Sequence, residues 1–139
     1  MMEVPISGNQ EIEHTADTAL HVWGPDLPAL FAEAAIGMKR LMGMRIEEGG
    51  TLSRSLVVEA LDLESLLVNF LEEILFFGEH ENLGFDRFEV EINGEYKLNA
   101  KMFGARIVQK SKEIKAVTFH NLNISKTESG YEVIIVFDV

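Results

Sequence analysis

From Asp62 to Leu75, the apolar residues Leu63, Leu66, Leu67, Phe70, Leu71, Ile74 and Leu75 recur at three- and four-residue intervals, flanked by Glu64, Glu72 and Glu73. The stripe is wide for a helix resting on one partner helix, and it predicts a helix lying across a sheet. Much of the remaining chain supplies strands. Glu11 to Thr15 reads as extended. Thr18 to Trp23 alternates, with Thr18, Leu20 and Val22 on one face and Ala19, His21 and Trp23 on the other. Leu52 to Ala60 alternates too, followed by Phe85 to Ile92, Tyr96 to Phe103 after the Asn93-Gly94 turn, Ile114 to Ile124, and Tyr131 to Val139 after Ser129-Gly130. A further helical pattern, Leu27, Leu30, Phe31, Ala34, Met38, Leu41 and Met42, follows Gly24-Pro25, stops at Gly43 and uses its methionines as core filler. Gly78 marks the end of the Asp62 helix. The expectation is an α+β fold: a single compact domain over residues 1–139, with a largely antiparallel sheet and two helices packed on one face.

Aspartate use separates structural acids from candidate functional ones. Of 23 acidic residues only Asp17, Asp26, Asp62, Asp86 and Asp138 are aspartates. Asp26 and Asp62 precede the two helical patterns, where a short carboxylate accepts hydrogen bonds from unpaired amides. Asp86 falls in the turn-like Gly84-Phe85-Asp86. Asp17 and Asp138 have no such role, and Asp138 sits beside Val139, whose α-carboxylate would place a second carboxyl group at the end of an apolar strand. If Asp17 lay beside that terminus, three carboxylates would converge. Oxygen-only ligation of this kind suits calcium, magnesium or manganese rather than zinc. On spacing alone a turn aspartate and a solvated strand end are the better explanation of the two residues, since two acids at opposite ends of a chain are a weak signal. Lys115, Thr118 and His120 in KAVTFH add a second polar group, Thr118 and His120 sharing one face if the segment is a strand.

A formal net charge of -11 argues against a free-standing nucleic-acid binder, because such affinity rests on lysine and arginine neutralising phosphates. The positive charge is concentrated: Lys97, Lys101, Arg106, Lys110, Lys112 and Lys115 are six of the 12 basic residues, and Glu113 is the sole acid in that segment. Lysines keeping strand edges soluble explain this segment, and so does a patch facing phosphate or an acidic partner. With no cysteine, no basic stretch leading into an apolar core near Met1 and no apolar run of membrane length, the expected setting is the cytoplasm.

Four blocks in order, HTADTALHVWG, DLESLLVNFLEEILFF, KAVTFH and the terminal FDV, resemble the archease family from about Glu11 to Val139. The resemblance implies a small acidic cofactor of the RtcB-type RNA-splicing ligase. Such a protein promotes ligase guanylylation and repeated turnover in tRNA splicing and performs no chemistry of its own. It also implies a divalent metal site, calcium first with magnesium or manganese as alternatives, formed by Asp17, Asp138 and Val139. His14, Lys115, Thr118 and His120 match the family blocks in supporting or partner-contacting roles. Where relatives often carry Glu after a glycine, this chain has Gly104-Ala105, so a carboxylate role does not carry over there. Two other functions are weighed against this one: a chaperone or adaptor of a tRNA methyltransferase, and a small metal-dependent hydrolase. The hydrolase lacks a nucleophile paired with a base.

Overall fold

Asp26 and Asp62 start the two helices as their sequence context predicts. In the computed structural model, which describes residues 6–12 and 18–139, the Asp26 carboxylate accepts from the Ala29 amide at 2.9 Å and that of Asp62 from the Ser65 amide at 2.7 Å. Helix α1 spans Leu27–Leu41 and helix α2 spans Leu63–Glu81. Gly43, with φ of 58°, takes the left-handed conformation just beyond α1. α2 runs past Gly78, where the sequence pattern ends it, and is capped by Asn82, whose φ of 56° is left-handed.

The strands form two antiparallel sheets where the alternation suggested one. In the first, β1 (Gly8–Ile12) pairs with β2 (Thr18–Gly24), which pairs with β9 (Gly130–Asp138); β7 (Ala116–Val117) and β8 (Ser125–Thr127) also pair with β9. In the second, β6 (Lys97–Gln109) is central, paired with β5 (Leu83–Asn93), β4 (Leu52–Glu59) and the short β3 (Arg45–Ile46). Asp86 lies in β5 itself, at a register shift between Phe85 and Arg87 that bulges the strand, rather than in a turn. Tyr96 belongs to the β5–β6 turn, with φ of 53°.

α1 packs on β1 and β2 of the first sheet and on β5 of the second, while α2 packs on β4, β5 and β7, so the helices cover one face of each sheet. Phe31 of α1 and Phe70 of α2 meet with ring centroids 6.0 Å apart at the centre of the core, and both are fully buried with Leu20, Leu66, Leu98 and Phe137. Met38 and Met42 are buried in the same cluster. Ala105 is buried too, and a Cβ added at Gly50 would collide with its methyl group, so that methyl packs directly on the Gly50 backbone. Among the described residues, no helix is long and apolar enough to cross a membrane.

Candidate functional site

The end of β9 brings together four of the expected site residues, Asp138, Val139, Lys115 and Thr118. Thr18 opens β2 opposite Phe137, and on the other side of β9 Ala116 pairs with Asp138 and Val117 with Phe137. The last two positions of β9 therefore lie between the first residue of β2 and the whole of β7. Alternation along β9 turns Val133, Ile135 and Phe137 into the core, while Asp138 and Val139 are exposed. Thr18, next in sequence to Asp17, thus stands beside the residue that precedes Asp138. Asp17 and His14 themselves lie outside the described residues, so the structure describes the Asp138 and Val139 part of the expected metal set. Among the described residues no group of three or more histidine, aspartate or glutamate side chains is arranged to hold a metal ion.

Lys115, Thr118 and His120 approach β9 differently from the strand the alternation predicted. Ile114 to Ile124 is not one strand; pairing ends at Val117. Val117 is buried but Phe119, which a continuous strand would place on the same face, is 57% exposed. The Lys115 amide donates to the Asp138 carbonyl at 2.7 Å. The Thr118 amide and hydroxyl both donate to the Val136 carbonyl, at 3.0 and 2.9 Å, and the hydroxyl accepts from the His120 amide at 3.2 Å. Thr118 is therefore turned inward onto β9 as a fastening. The His120 ring lies 3.3 Å, Nε2 to Nδ2, from the Asn121 side chain. Asn121 takes a φ of 50°, which reverses the chain.

Sequence reasoning did not single out Thr18, Glu64, Glu72 or Lys112 as members of this region. Lys112 reaches across to donate from Nζ to the hydroxyl of the buried Thr18 at 3.3 Å. Glu72 of α2 accepts the Val117 amide at 2.8 Å, and Glu64 accepts the Ile124 amide at 2.9 Å. The basic segment does not form one patch. Lys97 pairs with Glu59 at 3.7 Å and Lys101 stands over the Phe103 ring, both on the central strand β6 and so not at a sheet edge. Lys110 pairs with Glu113 at 2.9 Å, and Lys112 and Lys115 lie near the end of β9.

Chemically, the region offers an exposed carboxylate at a strand end, a lysine bonded to a buried hydroxyl, and a loop fixed by backbone bonds. The sequence pattern of the Archease protein family matches residues 10–139. A Methanosarcina barkeri protein named archease is 35% identical over 136 residues, covering 92% of this chain and 93% of its own length. One from Pyrococcus abyssi is 36% identical over 128 residues, covering 87% and 90%. The solution structure of Methanobacterium thermoautotrophicum protein 1598 superposes with a TM-score of 0.72 at 26% identity, covering 95% of this chain and 99% of that one. The crystal structure of a Thermotoga maritima archease, described as a possible chaperone, shares the fold with a TM-score of 0.70 at 22% identity, covering 100% and 98%.

Proposed function

This chain belongs to the archease family, and we propose that it is a non-catalytic partner of an RtcB-type RNA-splicing ligase, promoting guanylylation of the ligase and repeated turnover in tRNA splicing. One observation carries the reading. The family's terminal block ends β9, with Asp138 exposed and bracketed by the KAVTFH segment on one side and the start of β2 on the other. The acidic character of the chain agrees with a division of labour in which the ligase grips RNA. A cytoplasmic setting goes with this role.

The donor chemistry at this strand end fits a hard divalent cation, since Asp138 and Val139 offer oxygen and no sulfur or imidazole. Asp138 and Val139 would hold such an ion together with Asp17, calcium being the first candidate and magnesium or manganese the alternatives. When bound, the ion supplies positive charge of the kind that phosphoryl transfer uses to offset developing negative charge. The chain's own residues set the position of the carboxylate. The Lys115 amide fixes the Asp138 carbonyl, Thr118 fixes Val136, and Lys112 ties the segment before β7 to Thr18.

The test is a ligation time course with a cognate ligase and excess RNA. Wild-type protein is expected to convert a single round into many rounds, whereas Asp17→Ala and Asp138→Ala proteins lose most of that effect and bind calcium more weakly by calorimetry. An unchanged time course with wild-type protein would refute the ligase role. A chaperone or adaptor role toward a tRNA methyltransferase is the second reading, consistent with the description of the Thermotoga relative as a possible chaperone. Affinity capture returning a methyltransferase without a ligase would favour it.

A further inference from the structure

The segment between β7 and β8 is held from below by α2. Glu72 accepts the Val117 amide at 2.8 Å and Glu64 the Ile124 amide at 2.9 Å, and all four residues are at least partly buried. A carboxylate accepting an amide proton makes a charge-assisted bond, stronger than one between neutral groups. Glu64 and Glu72 are eight positions apart on one helix, so their backbone positions are separated by about 12 Å along its axis. The seven-residue step from Val117 to Ile124 could stretch to roughly 23 Å if extended. Fixing its ends near the shorter separation makes the segment arch. The arch is visible: Asn121 is left-handed, the Leu122 amide donates to the Phe119 carbonyl at 3.1 Å, and Phe119, at the start of that turn, is 57% exposed beside the exposed His120. Leu122 and Ile124 pack on the core and seat the far leg.

We propose that Glu72 and Glu64 are positioning residues, a two-point clamp on α2 that pre-forms the 117–124 arch so that Phe119 meets the apolar surface of a protein partner next to the end of β9. An exposed phenylalanine on an already ordered loop is suited to act as an anchor, because the entropy of ordering the loop is lost on folding and not on binding. The ligase as that partner rests on the reading above; the clamp does not. Glutamine at either position retains an oxygen that can accept the amide proton, in a weaker neutral bond, whereas leucine does not, so the geometry of the acceptor is the main part of the role.

The experiment combines amide hydrogen exchange on the isolated protein with ligase activation measured against its concentration. For Glu72→Leu, Val117 exchange is expected to accelerate at least tenfold, and the concentration giving half-maximal activation to rise at least tenfold, with maximal turnover kept. Glu72→Gln should stay within about threefold of wild type in both, and Glu64→Leu should act in the same way on the Ile124 amide. Phe119→Ser, a surface change that does not threaten folding, should raise the half-maximal concentration while leaving both amides protected. Unchanged Val117 protection in Glu72→Leu, or equal losses in the glutamine and leucine variants, would overturn the clamp. Wild-type concentration dependence for Phe119→Ser would overturn the anchor. If wild-type protein fails to activate any ligase while Glu72→Leu still frees Val117, the ligase reading falls and the clamp stands.

Discussion

Asp62 shows how a single carboxylate links pH to stability. The backbone amide of Ser65, and secondarily its side chain, donate to Asp62 and hold its carboxyl below the usual carboxylate range. A group whose pKa is lower in the folded state contributes stability above its unfolded pKa and loses it as pH falls through the folded value. Thermal melts should therefore show Asp62→Asn losing less stability than wild type between neutral pH and pH below the carboxylate range, because asparagine caps without titrating. Equal acid sensitivity would mean that the cap does not titrate in the melt. Local acids of this kind were legible from sequence, since a cap and its partner amide lie three positions apart. Glu72 and Glu64 were not, because the amides they accept are 45 and 60 positions away, and a flanking glutamate on a helix ordinarily means only a solvated face.

Elements were predicted best where period and punctuation agreed. Both helix starts, the alternation of β2 and β4, and the β5–β6 and β8–β9 turns follow the residues that suggested them. Asp26→Ala should cost about 1 kcal/mol in denaturant unfolding, the ordinary loss for an N-cap, with the slope against denaturant unchanged. Boundaries failed for physical reasons that can be named. Gly78 is accommodated within α2, where even an added Cβ would meet Ile107 and Leu83 only at 3.7 Å, so nothing there requires the helix to stop. Ile114 to Ile124 alternates acceptably in sequence, yet β9 is shared between β7 and β8, and the amides of Val117 and Ile124, at the two ends of the segment joining them, bond to α2 instead of continuing a ladder. β3 has two residues, too short for any periodicity to appear. At the site, the shared neighbourhood of KAVTFH and the terminal block is the part of the family resemblance that the geometry of described residues displays; which strands bring them together could not be read from spacing.

On the scale of the molecule, the net charge of -11 is spread over one small domain, and its self-repulsion works against the folded state. Raising salt from about 0.01 M to about 1 M shortens the screening length from roughly 30 Å to 3 Å. The melting temperature should rise across that range, and a fall would show that attractive ion pairs such as Arg54–Glu81 outweigh the general repulsion. The first sheet has a further consequence. β9 is its shared strand, and its pairing with β2 joins residues as far apart as Thr18 and Phe137. A ladder closed over so long a stretch of chain carries a loop-closure entropy that the local hairpin pairings do not. Asp138 acquires its neighbours only in that closing event. The setting of the exposed carboxylate is therefore a mark of completion: a nascent or partly opened molecule has the aspartate but not its neighbours.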